Sequence, residues 1–317
     1  MKMNKIFVLG SINIDFVYQT NRLPKRGETI KSEKFFMATG GKGANQAVAA
    51  AKQQAETIML GSISNDELSR ICLDSLALHN VNTKFIEIYP DVSCGNALVI
   101  LENNDNRIIT SSGANKFHNT NKIEHILNDN SMDNDLLLAQ LEIPLEVIQD
   151  AFIKAKALNM ITVLNAAPAT KLPESLLLLV DYLIINETEI ETLTKQKVQT
   201  EKSQIEALDF LLEQGVKNII LTLGKAGSIY YNGKTMIKIP AYIVKVVDTT
   251  AAGDTYIGVL SASLALGKNI NQAMTYATAA SALAIQKLGA QPSIPNRDSV
   301  EKFLKEKRNY VEKKNNS

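Results

Sequence analysis

Short, nearly uniform apolar runs recur along this chain, each followed by a stretch whose apolar positions repeat at helical spacing. "KIFVLGSI", "ETIMLGSI", "DLLLAQLEI", "ITVLNAA", "DYLIIN" and "KNIILTLG" are runs of the first kind. Uniform apolarity over a few residues predicts strands buried on both faces. "GANQAVAAAKQQ", "DELSRICLDSLALHN", "PLEVIQDAFIKAKAL" and "SQIEALDFLLEQG" predict the helices between them. Three more helices begin near Gly253, Ile270 and Asp298. Alternation of this kind predicts a doubly wound, mostly parallel sheet covered on both sides, a three-layer α/β/α domain.

Two segments break the alternation. "FVYQTNRLPKRGETIKSEKFFMA", and "TKFIEIYP" with "GNALVILENNDNRIITSSG", carry strand patterns without helices, the last pair joined by an Asn/Asp turn. They predict one small projecting β-sheet, a lid over residues 16–38 and 84–112. The main domain then comprises residues 1–15, 39–83 and 113–317. A sheet without helices of its own must cover an apolar face, by closing over a substrate, by pairing with another subunit, or by both.

The bulk numbers narrow the function mainly by exclusion. A formal net charge of +1 over 317 residues gives no argument for nucleic acid or an anionic membrane. The Lys/Arg-rich end interleaves Glu and reads as a solvated last helix that frays. No stretch approaches membrane-spanning length, and the start reads as a first strand, not a signal peptide. Cys72 and Cys94 lack metal-type spacing, so reduced thiols in a cytoplasmic protein are expected. His79, His118 and His125 form no ligand cluster. The sequence has no GxxxxGK[ST] and no GxSxG, and "GGKGANQ" ends in Gln46 where a dinucleotide fingerprint needs a small residue.

What remains is polar chemistry at strand ends and helix starts. In "DTTAAGDTYIG", Ala251, Ala252 and Gly253 are small enough for a phosphate to approach helix N–H groups, with Asp254 in the first turn. Asp254 reads either as a base beside that cradle or, with Asp248, as an ordinary helix cap. "GGKGAN" offers Lys42 and Asn45 after a glycine turn, against a reading as tight packing alone. Asn13 and Asp15 in "SINID" suit a polyol, or form a self-bonded loop. Glu142 in "QLEIP" ends an apolar strand, where ligand crevices lie in open sheets. Asn186 and Glu189 in "NETE" do the same, or form a capping box. Thr222, Gly224 and Gly227 in "LTLGKAG" form a hairpin, or a bed for a nucleotide.

Together, "GGKGANQAVAAAK" and "DTTAAGDTYIG" resemble the two signatures of the ribokinase-type carbohydrate kinases, the PfkB family. "GSINID", "NETE", "TLGKAG" and "GAQPSIP" fit in order, from Lys5 to about Phe303. The resemblance implies an α/β/α domain with a β lid, a dimer paired through the lid sheets, and ATP-dependent phosphorylation of the 5-hydroxyl of ribose. It implies sugar binding by Asn13, Asp15, Gly41, Lys42, Asn45 and Glu142, with Asp254 as catalytic base. The backbone amides of Ala252, Gly253 and Asp254 would form an anion hole. Asn186, Thr222, Gly224, Gly227, Ala252, Gly253 and Thr278 would line the ATP site, and Glu189 would hold magnesium through water. A potassium-type site would map to Asp248, Thr250, Ala284, Lys287, Gly289 and Ser293. Tyr256 and Ile257 depart from the Phe-Asn common in the family, and Thr278 stands where His or Asn is frequent near adenine. The alternatives are another pentose such as 2-deoxyribose, a nucleoside, or sugar binding without catalysis on the same fold.

Overall fold

The computed structural model of the chain describes residues 3–102 and 105–315. Its middle layer is an eight-stranded sheet. In spatial order the strands are Met236–Ile239, Ser228–Tyr231, Asn218–Thr222, Tyr182–Asn186, Ile161–Asn165, Leu136–Gln140, Ile6–Leu9 and Thr57–Leu60. The last six run parallel, and the first two add an antiparallel hairpin at one edge. Every expected strand of this sheet is present. Alternation within each strand divides the core between the two faces. Ile6 and Val8 pack with Val48, Leu260 and Met274 on one side, whereas Phe7 and Leu9 pack with Ile148 and Phe152 on the other. Each such fully buried side chain stabilises the fold by about 1.5–3 kcal/mol.

Strand order reverses around the first strand. The chain passes from Ile6–Leu9 to Thr57–Leu60 on one side and later returns to Leu136–Gln140 on the other. The carboxyl ends at this reversal carry Ser11, Asn13 and Glu142, which is where open α/β sheets hold ligands.

A second, four-stranded mixed sheet has the order Lys34–Gly40, Asn13–Thr20, Gly95–Glu102, Asp105–Ser111. It is the expected lid. "TKFIEIYP" does not join it: Glu87–Ile88 pairs with Ser62–Ile63 in a separate two-stranded sheet, because Glu87 and Tyr89 donate their amides to Gly61 and Ile63 of the main domain. The Asn/Asp turn expected around 103–104 lies outside the described residues. The helix Thr120–Asn130 was not legible in its mostly polar sequence; Asn119 caps it by accepting from the Lys122 amide.

Candidate active site

The helix Lys42–Ala51 begins where the lid's edge strand ends. Its N-cap, Gly41, has φ 88°, and a Cβ there would stand 2.8 Å from both the Asn13 amide nitrogen and the Ser11 carbonyl. Only glycine lets this turn press against the end of the first strand. That contact collects three acidic side chains. Ser11 Oγ donates to Glu142 Oε2, which also accepts the Lys42 amide at 3.1 Å. Asp15 lies close enough to Glu142 and Asp254 for both to act on its charge. Burial first, and then these two like charges, push its carboxyl up to about 7. Lys42 is raised as well, which for a lysine favours the charged form: Asp254, then Glu142 and Glu189, hold its ammonium charged despite burial. Asn13 is oriented by a residue that sequence reasoning missed. Asn115 donates to Asn13 Oδ1 at 2.8 Å, and its own Oδ1 accepts the Ile12 amide. The Asn13 amide N–H groups are thereby turned outward.

Asp254 sits in the first turn of the helix Ala252–Ala265. Neither aspartate caps that helix, whose N-cap Ala251 adopts φ 56° without a side-chain cap bond. Asp248 instead accepts from Thr250 and from the Gly289 amide. Both Asp254 oxygens face the helix Lys42–Ala51: Oδ2 accepts from Asn45 at 3.0 Å and Oδ1 from Gln46 at 2.9 Å. The Ala252 amide donates to the Thr249 carbonyl, while those of Gly253 and Asp254 have no partner among the described residues. A Cβ on Gly253 would meet nothing within 4 Å. The space over this positive helix end is therefore open to an anion.

Two cavities meet at that turn. One of about 180 Å³ holds Lys42, Glu189 and Asp254; the other, of about 410 Å³, holds Gly224, Gly227 and Thr278. Asn186, Thr222, Ala252 and Gly253 border both. The capping box at Asn186 and Glu189 is real, with Glu189 Oε2 accepting the Asn186 amide at 2.8 Å and Asn186 Oδ1 accepting the Glu189 amide at 2.8 Å. The same Glu189 is pushed up chiefly by burial beside the cavity, so the capping and site readings coexist.

The family model for pfkB family carbohydrate kinases matches residues 3–297. This chain belongs to that family. The kinase is 38% identical over 302 residues to a ribokinase of Staphylococcus aureus, covering 94% of this chain and 98% of the relative. It is 34% identical over 301 residues to a deoxyribokinase of Salmonella typhi, covering 94% and 98%. Against a bifunctional ribokinase/ribose-5-phosphate isomerase A of Fructilactobacillus sanfranciscensis the match, 38% over 302 residues, covers 94% of the kinase and 56% of the relative's length. The structure of an Arabidopsis thaliana ribokinase complexed with ribose and ATP superposes with a TM-score of 0.89 at 31% identity, covering 96% of the kinase and 99% of that chain.

The remaining expected residues fall at the edges of this arrangement. In the kinase, Thr278 Oγ1 donates to the Met274 carbonyl of its own helix at 2.8 Å, so its side chain gives the larger cavity a methyl surface and no free hydroxyl proton. Thr222 Oγ1 likewise donates to the Ile185 carbonyl. Of the cation candidates, Asp248, Thr250 and Gly289 are joined directly. Ala284 accepts the Lys287 amide, and Ser293 Oγ donates to Ala290. Among the described residues no group of three or more His, Cys, Asp and Glu could hold a metal. Gln46, Gln140 and Asn165, next to Asp254, carry no expectation from the sequence. The available signal was that "LLLAQ" and "ITVLN" each end in an amide.

Proposed function

We propose that this kinase transfers the γ-phosphate of ATP to the 5-hydroxyl of D-ribose, giving D-ribose 5-phosphate and ADP. One observation carries the reading: a carboxylate, Asp254, stands beside two unpaired helix amides where two cavities join. Ribose lies against Asn13, Asp15, Gly41, Lys42, Asn45 and Glu142, in or beside the smaller cavity. Asn45 stands beside Asp254, to which its Nδ2 donates at 3.0 Å. ATP occupies the larger cavity along Asn186, Thr222, Gly224, Gly227 and Thr278, its γ-phosphate over Gly253. The 5-oxygen attacks phosphorus as its proton passes to Asp254; the bond to the departing ADP oxygen breaks. The amides of Gly253 and Asp254 meet the charge that develops on the transferred group, and Lys42 adds a full positive charge.

The resemblance also implies two cations, and the residues fit them. Glu189 is a half-buried carboxylate with one oxygen engaged, suited to a hydrated divalent ion. Magnesium bound there would supply charge neutralisation to the phosphates. Asp248 with Thr250 and the nearby carbonyls of Ala284, Lys287, Gly289 and the Ser293 region form an oxygen-rich set suited to potassium.

The lid register places Phe16, Tyr18, Phe35, Met37, Leu98 and Ile109 on one face. Tyr18, Phe35, Met37 and Ile109 are 38%, 49%, 48% and 65% exposed. An apolar face of this kind supports a homodimer paired through the lid sheets. No helix among the described residues is long and apolar enough to cross a membrane. Cys72 and Cys94 are unpaired, in keeping with a cytoplasmic enzyme.

The 34% identity to a deoxyribokinase favours 2-deoxyribose as a second reading. ADP release across pentoses, hexoses and nucleosides, with and without potassium, tests both. Ribose should give the highest kcat/KM, and a higher value for 2-deoxyribose would replace the first reading by the second. Asp254→Asn should lower kcat by about 10²–10⁴ with little change in ribose KM; near-normal turnover would remove Asp254 from its role as base.

A further inference from the structure

We propose that Gln46 is a positioning residue for Asp254, held in turn by Gln140 and Asn165. The inference rests on Asp254 being the base and adds what aims it. Gln46 and Gln140 are fully buried and Asn165 nearly so, at 0%, 0% and 4% exposure. Three side-chain amides in one place cost free energy unless their hydrogen bonds close. Here they close in one direction, leaving only the buried Gln140 Oε1 without a partner among the described residues. Gln140 Nε2 donates to Gln46 Oε1 at 2.8 Å. Gln46 Nε2 donates one proton to Asp254 Oδ1 at 2.9 Å and the other to Asn165 Oδ1 at 3.0 Å. Asn165 Nδ2 then donates to the Ile184 carbonyl at 3.3 Å. Both ends are pure acceptors, a carboxylate and a carbonyl, so no amide can flip without losing a bond.

The supports come from rigid elements. Gln140 and Asn165 end adjacent parallel strands and are paired in register. Gln46 lies one turn into the helix Lys42–Ala51, which crosses the helix of Asp254 at close range. A Cβ on Gly258 would collide with the Gln46 carbonyl and with Ala49 Cβ. The central sheet therefore sets the rotamer of Asp254 through Gln46. With no exposed surface, Gln46 cannot touch a substrate and acts only through the carboxylate. Its N–H also favours the ionised form of any carboxylate that accepts it.

The test is steady-state ADP release from pH 5 to 9 with D-ribose and 2-deoxyribose, on Gln46→Leu, Gln140→Leu and Asp254→Asn. Gln46→Leu should lower kcat about 10–100-fold, leave sugar KM within about threefold, and move the acid limb of the kcat profile to higher pH. Gln140→Leu should do the same more weakly. If Gln46→Leu does not fold, Gln46→Met and Gln140→Leu carry the test unchanged. Wild-type kcat in these variants, or a lost kcat with an unmoved acid limb, would overturn the proposal. Asp254→Asn separates the two claims. If it is inactive while Gln46→Leu is normal, only the positioning role fails; if it is active, the base assignment fails first.

Discussion

Asp15 makes the site a cost to the fold, and the size of that cost can be measured. Burial, Glu142 and Asp254 push its carboxyl from the ordinary 3.8 up to about 7. The unfolded chain releases that proton near pH 4, whereas the folded chain keeps it until about pH 7. Stability contributed by the raised group is therefore complete below about pH 4 and is lost as pH rises to 7. About three pH units at ~1.36 kcal/mol each give a loss of about 4 kcal/mol by pH 8, an upper bound where water reaches the group. Asp15→Asn keeps the shape and removes the titration. Urea unfolding of both proteins at half-unit steps from pH 5 to 8 should show curves that diverge, with the variant more stable at pH 8 by up to about 4 kcal/mol. The same variant should bind sugar worse, because hydroxyls donate best to an ionised carboxylate. In the wild type, ribose binding near pH 6.5 should release protons, read by calorimetry in buffers of different ionisation enthalpy, and KM should rise as pH falls below 7. Parallel stability curves from pH 5 to 8 would refute the argument.

Three further variants test the same geometry. Gly253→Ala should leave stability unchanged or raise it by about 0.5–1 kcal/mol, since its Cβ meets open space in a helix, yet increase the KM for ATP about tenfold; Gly41→Ala, strained at φ 88°, should instead lower the urea midpoint, and an unchanged ATP KM in the first would remove the phosphate cradle. Replacing Met37 and Ile109 together by Asp should halve the mass seen by sedimentation velocity while the monomer stays folded, and a dimer of unchanged mass would place the subunit contact elsewhere than on the lid.

Much of this was legible in the sequence because the signals were strong and local. A strand buried on both faces cannot hide, and Ile6–Leu9 or Leu136–Gln140 read directly from their apolar runs. The place of Asp254 in the first turn of its helix was legible from the small residues before it, whereas the sequence left open whether it caps that helix, and the structure shows that it does not. What stayed hidden depends on partners far along the chain. Asn115 is 102 residues from Asn13, and Gln46 is 208 from Asp254. A glutamine inside a helix or at a strand end carries no mark of which carboxylate it will meet. The short strand Glu87–Ile88 was misassigned for the same reason. Its pattern says strand, while its neighbour is chosen by the position of Ser62–Ile63.

On the proposed reading, the charges at the site account for a requirement for a counter-ion with the nucleotide. Asp254, Glu142 and Glu189 act together on Lys42 and hold it charged, while Asp15 is left to the like charges of Glu142 and Asp254. At about 5 Å and an effective dielectric near 20, one further negative charge costs roughly 3 kcal/mol against each carboxylate it approaches. A sugar would bring no charge and add hydroxyl donors, which would relieve the like-charge repulsion at Asp15 on entry. A nucleotide triphosphate brings several negative charges toward Asp254 and Glu189. Lys42 is already shared among three carboxylates, and with the two unpaired amides of Gly253 and Asp254 it would not offset all of that charge. The balance is restored if a divalent ion arrives with the nucleotide, which turns Glu189 from a penalty into an anchor. On the proposed reading, an acid-rich cleft of this kind would favour the metal-bound nucleotide over the free one.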